Sequence, residues 1–192
     1  MLLPGLLVAA ALGIGFAAAL WRFLPPGSGA GAQQPRISGE FTLLDASGDR
    51  VAWSALGGRR QLVFFGFTHC PEACPTTLMN ASRALALRGD AERDTRILFI
   101  SVDPGRDTPE VVGAYVRNFG PAVTGMTGDA AGIAAAAAAF HVYHEQLPPM
   151  EDGGYMVNHT ATLFLLGGRD EILEMIPYGA TPVEIAAALA RH

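Results

Sequence analysis

Hydrophobic and polar residues form blocks along this chain whose lengths match the strands and helices of a mixed α/β domain. Two continuous apolar runs, "QLVFFGF" at 61–67 and "RILFISV" at 96–102, are typical of strands buried on both faces. Each run is followed by a predicted helix. The first helix is expected at 75–88, and the second begins after Thr108, which together with Pro109 forms a typical helix start. This order predicts two parallel strand–helix units.

Shorter patterns predict the remaining elements. "FTLLD" and "RVAW" form one expected hairpin around a turn at 47–49, and "ATLFLL" and "EILEMI" form another around 167–170. "AVTGMTG" predicts a short strand, Asp129 caps an alanine-rich helix, and Thr181 begins the last helix. Two parallel units followed by a hairpin and a helix predict an α/β, thioredoxin-like fold.

The amino-terminal segment differs in kind from the rest. Residues 2–21 contain no charge and are long enough to cross a bilayer as a helix of about twenty residues. A cleaved signal peptide is the competing interpretation, with "AGA" as a small-residue cleavage site. The length of the apolar run favours an uncut anchor. The expected organisation is a transmembrane anchor or signal segment at 1–22, a flexible tether at 23–36 and one domain at 37–192.

Composition excludes some classes of protein. The formal net charge of −5 gives no basis for nucleic-acid binding, which needs a basic face. The two cysteines are too few for a disulfide-stapled scaffold. Nothing in the chain calls for more than a monomer.

Both cysteines lie in "FFGFTHCPEACPTTL", where the first buried strand ends and the next helix begins. With Pro75 at the first helical position, Cys74 is expected at or near the N-cap and Cys70 in the preceding loop. The free N–H groups of a helix start favour a thiolate there. Such a pair could be redox-active or could bind a metal, and these positions disfavour inert core cysteines. A disulfide between them remains possible.

The spacing of the cysteines has one residue more than the redox motif C-x-x-C, which widens the separation of the sulfurs. Two thiolates alone leave the coordination sphere of Cu(II) or Zn(II) incomplete, so a metal site needs another ligand. His159 is the best candidate, because it precedes a predicted strand whose start passes near the active-site helix of a thioredoxin-like fold. A structural role is the alternative for His159. A surface or loop role is expected for the other four histidines: His69, His141, His144 and His192.

Five segments in order, "FFGFTHCPEACPTTL", "LFISVDPGRDTPE", "MTGD", "FHVYH" and "VNHTATLFLL", resemble the Sco/SenC family of membrane-anchored copper proteins. The resemblance extends from Gly39 to the carboxyl terminus. It implies a thioredoxin fold and a copper site formed by the two cysteines and one distal histidine, which fall here on Cys70, Cys74 and His159. Asn158 is a departure, since an aspartate often precedes the histidine in the family.

The resemblance implies a copper metallochaperone rather than an enzyme. Such a protein binds one Cu(I) or Cu(II) per chain and delivers it to the binuclear copper site of cytochrome c oxidase. The implied partner is the copper-bearing subunit of that oxidase, and the copper donor is unspecified. The implied location is the bacterial inner membrane, with a single amino-terminal anchor and the soluble domain on the periplasmic side.

A thiol-disulfide oxidoreductase is the alternative function. Cys70 and Cys74 would then be catalytic and would reduce the acceptor's cysteines before metallation. His159 discriminates between the two functions, because copper retention needs a third ligand and disulfide exchange does not. A peroxide-reducing enzyme is a weaker option, since no threonine and arginine pair around the thiol is evident.

Two aspartates near the site have open roles. Asp103 either provides charge or a hydrogen bond near the metal ligands or is a turn residue before Pro104. Asp107 is expected to help cap the helix that starts near Thr108.

Overall fold

A computed structural model describes residues 35–89, 93–151 and 153–192. The predicted anchor at 1–22 and most of the predicted tether lie outside these residues. Among the helices of the described part, none combines the length and the apolar character that a membrane crossing requires.

The described residues form a seven-stranded sheet, a separate two-stranded sheet and four α-helices. The strands of the large sheet, in chain order, are β1 (Thr42–Asp45), β2 (Arg50–Ala52), β3 (Gln61–Gly66), β4 (Arg96–Ser101), β5 (Val123–Thr127), β8 (Leu163–Leu166) and β9 (Ile172–Ile176). The small sheet consists of β6 (His144–Gln146) and β7 (Val157–His159). The helices are α1 (Ala73–Arg88), α2 (Pro109–Val116), α3 (Ala130–Ala139) and α4 (Pro182–Arg191), with 3-10 turns at Trp53–Leu56 and Arg117–Phe119.

The large sheet has the strand order β2-β1-β5-β4-β3-β8-β9. β4 pairs in parallel with both β3 and β5, whereas β8 runs antiparallel to β3 and to β9. The two predicted hairpins are the pairs β1–β2 and β8–β9. The expected mixed α/β, thioredoxin-like arrangement is therefore confirmed.

The core lies around β3 and β4. Every residue of β3 is buried, and six phenylalanines are at most 2% exposed: Phe64, Phe65, Phe67, Phe99, Phe140 and Phe164. The ring of Phe140 makes edge-to-face contacts with Phe65 and Phe164, each worth about 0.5–1.5 kcal/mol beyond area burial. This packing gives the carboxyl edge of β3 and β4 a rigid base.

The helix starts follow local sequence signals at three of the four helices. Thr108 caps α2, Asp129 caps α3, and Thr181 forms a capping box with Glu184 at α4, all as predicted. In contrast, α1 begins at Ala73, two residues before the predicted start. Proline is tolerated throughout the first helical turn, because the N–H groups there have no acceptor within the helix. Cys74 consequently lies in the first turn, two residues after the N-cap residue Glu72, which is near the N-cap as expected.

The hairpin β6–β7 is an element that the sequence analysis did not predict. Val157–His159 pairs antiparallel with His144–Gln146, and His144 lies opposite His159. Val157 and Asn158, the two residues before His159, form this strand together with His159. This hairpin is the element that carries His159.

Candidate metal centre

Three separate elements bring Cys70, Cys74 and His159 together at the carboxyl edge of β3. Cys70 lies in the loop that follows β3, Cys74 in the first turn of α1, and His159 at the end of β7. One donor atom of each side chain lies within 4.8 Å of the donor atoms of the other two. The sulfur of Cys74 is 3.7 Å from Nε2 of His159. The proximity expected from the sequence is present in the structure.

Cys74 is fully buried, and its sulfur packs directly on the backbone of Gly66. A Cβ atom at position 66 would lie 2.8 Å from the Cys74 sulfur and 2.9 Å from the ring of Phe99. These distances are shorter than van der Waals contacts, so a side chain here would displace the sulfur. Glycine at the last position of β3 therefore leaves the space that the Cys74 sulfur occupies.

The sulfur of Cys70 accepts a hydrogen bond at the start of α1. The Cys74 backbone N–H donates to it over 3.3 Å, which satisfies one of the amides that a helix start leaves unpaired. Because the Cys74 thiol also donates a hydrogen bond, the pKa of Cys70 falls to about 4 in spite of partial burial. The same interaction and burial raise the pKa of Cys74. These shifts favour the thiolate form at Cys70 and the thiol form at Cys74 in the metal-free pair. In this structure neither cysteine is in a disulfide.

A low thiol pKa predicts a distinctive pH dependence of alkylation at Cys70. The folded-state pKa is depressed, so the thiolate persists down to pH values near that pKa. We expect the rate of iodoacetamide alkylation to change little between about pH 5.5 and pH 8, whereas an ordinary thiol gains about tenfold per pH unit there. Mass spectrometry of quenched samples measures the rate.

A matched pair of variants at position 74 controls this measurement. Cys74→Ala removes the donor and should move the alkylation profile of Cys70 to higher pH, while Cys74→Ser retains a donor and should move it less. A parent rate that climbs tenfold per pH unit throughout the range would contradict the proposed thiolate.

The ring of His159 is oriented by a backbone hydrogen bond and two aromatic rings. Its Nδ1 lies 3.1 Å from the Thr160 carbonyl oxygen, which can only accept, so Nδ1 carries the proton. In the neutral ring the lone pair is then on Nε2, the nitrogen that faces Cys74. Phe64 and Phe67 pack edge-on against the ring at centroid distances of 6.0 and 5.8 Å. The tautomer and orientation are those of a histidine that binds a metal through Nε2.

The donor set has a definite metal preference. Two thiolate sulfurs and one imidazole suit soft and borderline ions such as Cu(I), Cu(II) and Zn(II), and they do not suit Mg²⁺ or Ca²⁺. Three donors leave a coordination position open to an exchanging ligand. The residues present therefore fit copper. The thiol proton of Cys74 must leave when a metal binds.

A polar network lies beside the donor atoms, in the segment that connects β4 to α2. The buried carboxylate of Asp107 accepts hydrogen bonds from the backbone N–H of Thr68 at 2.9 Å and from its hydroxyl at 2.6 Å. Ser101 donates a further hydrogen bond to it. The expectation that Asp107 caps α2 is wrong, since the side chain of Thr108 accepts the capping bond and Asp107 instead holds the start of the cysteine loop.

Asp103 makes both backbone and side-chain interactions. Its backbone oxygen accepts from the amides of Arg106 and Asp107, as in a turn. Its carboxylate accepts from the Tyr155 hydroxyl at 2.7 Å and from Arg106 Nε at 2.6 Å. Tyr155 and Arg106 were not identified from the sequence. The aromatic residue four positions before His159 and the arginine in "DPGRD" were the only available signals.

A second cluster of metal-binding residue types, His69, Asp103 and Asp107, lies near the first. All four carboxylate oxygens of the two aspartates already accept hydrogen bonds. His69 is more than half exposed, and its Nδ1 lies 3.8 Å from Asp107. These side chains support the loops by hydrogen bonding, which agrees with the loop role expected for His69.

Within the described residues, the donor trio includes none of the remaining histidines. His144 is half-buried opposite His159 in the small sheet, and His141 follows α3 with a φ of 54°. At the end of α4, Nε2 of His192 lies 3.2 Å from a carboxylate oxygen of Glu174 in β9. The expectation of roles outside the ligand set remains a prediction for these three.

Comparison with known proteins identifies a family model and relatives that match this chain. A family model described as SCO1/SenC matches residues 29–192. The chain is 35% identical over 164 residues to Protein SCO1 homolog, mitochondrial, of Homo sapiens, covering 83% of this chain and 54% of that protein. It is 31% identical over 151 residues to the SCO2-like protein of Rickettsia felis, covering 78% of this chain and 74% of that one. The chain thus spans about half the length of the human protein.

Two solved structures share the fold over most of their length. Bradyrhizobium japonicum ScoI, solved with copper bound, has a TM-score of 0.73 and 39% identity, over 81% of this chain and 98% of that one. Arabidopsis thaliana ScoI, also solved with copper bound, has a TM-score of 0.76 and 31% identity, over 81% of this chain and 96% of that one. From the family model, the relatives and the shared fold together, this chain belongs to the SCO1/SenC family.

Proposed function

We propose that this chain is a copper metallochaperone that holds one copper ion between Cys70, Cys74 and His159. The proposed acceptor is the binuclear copper site of cytochrome c oxidase. The observation that carries the proposal is the convergence of two sulfurs and one imidazole nitrogen from three separate elements. Copper bound in two family members of 31% and 39% identity supports the choice of metal.

The arrangement suits a metal that is held and then passed on. Cys74 is buried, whereas Cys70 is half-buried in a loop whose neighbours His69 and Pro71 are exposed. An acceptor protein can therefore approach from the side of Cys70. Copper, as cargo, would move by exchange of protein thiolates for those of the acceptor, and the soft donors tolerate both Cu(I) and Cu(II).

An anaerobic titration of the reduced protein with Cu(I) tests the proposal. We expect one copper per chain, and with Cu(II) we expect sulfur-to-copper charge-transfer absorption, because Cu(II) would be bound by thiolate. Absorption spectroscopy and metal analysis after gel filtration measure both results. A protein that elutes without copper would contradict the proposal.

The oxidoreductase function is a second candidate. The lowered pKa of Cys70 beside the raised pKa of Cys74 favours it, because disulfide exchange needs one nucleophilic thiolate and one resolving thiol. The Cys70 thiolate could attack an acceptor disulfide to form a mixed disulfide and release one acceptor thiolate. The Cys74 thiol, after losing its proton, would then attack Cys70, forming the Cys70–Cys74 disulfide and releasing the second thiolate. Disulfide reduction by the copper-free protein, unchanged in His159→Ala, would favour this function. Both activities in one protein would make them successive steps of one task.

The proposed location follows from the amino-terminal segment and the family. We place residues 1–22 in the bacterial inner membrane and the domain on the periplasmic side, where the oxidase subunit would receive copper. Retention of the protein in carbonate-washed membranes, with protease access to the domain from the periplasm only, tests this placement.

A further inference from the structure

Among the described residues, the hairpin that carries His159 forms a sheet of its own, separate from the main sheet. β6 and β7 form their own two-stranded sheet, and a loop from Leu147 to Met156 connects them. The Leu147 amide donates to the Met156 carbonyl over 2.8 Å, which closes the base of this loop. An isolated two-stranded hairpin is marginally stable in water, so other contacts must hold His159 against the cysteines.

Several contacts of this kind join Tyr155 to the segment after β4. The Tyr155 hydroxyl donates to Asp103 over 2.7 Å, and Arg106 Nη1 donates to the Tyr155 carbonyl over 2.9 Å. The Arg106 guanidinium also lies 3.5 Å from the centroid of the Tyr155 ring. Arg106 in turn pairs with Asp103 at 2.6 Å. The carboxylate is only 3% exposed, so these are charge-assisted hydrogen bonds in a poorly solvated place.

The ring of Phe67 lies between Arg106 and the proposed ligand His159. The guanidinium of Arg106 lies 5.9 Å from the centroid of the Phe67 ring, and that ring packs edge-on against His159 at 5.8 Å. Tyr155 precedes His159 by four residues along the hairpin. Asp103, Arg106 and Tyr155 therefore act on His159 through the backbone of the hairpin and through the Phe67 ring. The hydrogen bonds of their side chains join the three residues to one another.

The segment between β4 and α2 also contacts the loop that carries Cys70. Asp107, one residue after Arg106, fixes Thr68 at the start of the cysteine loop. The cysteine loop and the His159 hairpin are thus both hydrogen-bonded to the short segment between β4 and α2. Asp107 bonds to the cysteine loop, whereas Asp103 and Arg106 bond to the hairpin.

We propose that Asp103, Arg106 and Tyr155 form a clamp that positions the His159 imidazole over the two sulfurs. They are positioning residues, since they act through the backbone of the hairpin. The effect of the clamp on copper affinity rests on the proposed function, but its effect on the place of His159 does not.

Tyr155→Phe tests the clamp with the smallest change, because it removes only the hydroxyl and keeps the ring under Arg106. The matched control is Tyr143→Phe, which removes an exposed tyrosine hydroxyl beside the same hairpin, bonded there to Glu145. In the copper-free protein we expect Tyr155→Phe to shift the His159 ring resonances, because ring currents of Phe64 and Phe67 act on them. We also expect the Leu147 amide to exchange with solvent about tenfold faster. The control should match the parent in both measurements.

Copper competition provides a separate measurement. Loss of a group that orients a metal ligand costs about 10- to 100-fold in affinity, and we expect Tyr155→Phe near the lower limit because Arg106 still holds the Tyr155 carbonyl. Arg106→Lys keeps the cation but loses the planar fork, and it should change the same signals in the same direction. Thermal unfolding of each variant verifies that the domain is folded.

The outcomes separate the clamp from the proposed function. If Tyr155→Phe and Arg106→Lys match Tyr143→Phe in ring shifts and amide exchange, the clamp does not position His159 and the inference fails. If the parent binds no copper, the proposed function fails, while the copper-free measurements still decide the clamp. If the ring moves and copper affinity stays at the parent value, the link from clamp to metal is overturned.

Discussion

We expect the double variant Cys70→Ser, Cys74→Ser to bind no measurable Cu(I). The change removes both sulfur atoms from a set of three converging donors, and a serine hydroxyl does not ionise near neutral pH. Loss of a group that merely orients a ligand already costs about 10- to 100-fold in metal affinity, so loss of two ligands should exceed that range. Competition with a chromogenic Cu(I) chelator measures the change.

Controls separate loss of ligands from loss of fold. Serine is close to cysteine in size, so the buried position beside Gly66 should accept it, and thermal unfolding of the copper-free variant verifies this. Met150→Ser provides a matched control, because it removes an exposed sulfur outside the donor trio. That variant should bind like the parent. A double cysteine variant that competes for Cu(I) as well as the parent would refute the sulfur assignment.

His159→Ala is expected to have the next largest effect. Copper affinity should fall by more than about 100-fold, again because a ligand is lost and not just its support. Both cysteines should remain titratable with a thiol reagent. The sulfur-to-copper absorption of any residual Cu(II) complex should shift, since the nitrogen ligand would be replaced by water or a second copper-binding group.

His144→Ala is the matched control for this variant. His144 pairs with His159 across the small sheet, so its removal perturbs the same hairpin without removing a converging donor. Parent-like copper binding is expected for His144→Ala. Equal binding by His159→Ala and the parent would mean that the imidazole is not a ligand. Equal losses in the two variants would point to disruption of the hairpin instead of loss of a donor.

Much of the fold was predictable from local patterns. The runs that became β3 and β4 are continuously apolar because both faces of these strands are buried, and such runs are visible in a single sequence. The starts of α2, α3 and α4 carry capping residues whose hydrogen bonds are local. Elements of this kind depend little on distant residues.

The elements that were misplaced depend on tertiary contacts. The start of α1 lies two residues before the prediction, in a turn where the Cys70 sulfur accepts the Cys74 amide and Cys74 packs on Gly66. The hairpin β6–β7 has strands of three residues each, too short for an apolar alternation to be recognised. Its position depends on Tyr155 and Arg106, which are 49 residues apart.

The sequence by itself determined the order of the strands and helices other than β6 and β7, and the placement of both cysteines at a strand–helix junction. Through the family resemblance it also determined the choice of His159. Only the tertiary structure decided that the three donor atoms meet, that Nε2 is the nitrogen facing the Cys74 sulfur, and that the surroundings of Cys70 lower its pKa. Local patterns record the burial and hydrogen bonding of near neighbours. Distances between residues 85 apart, such as Cys74 and His159, are set by the packing of the whole domain.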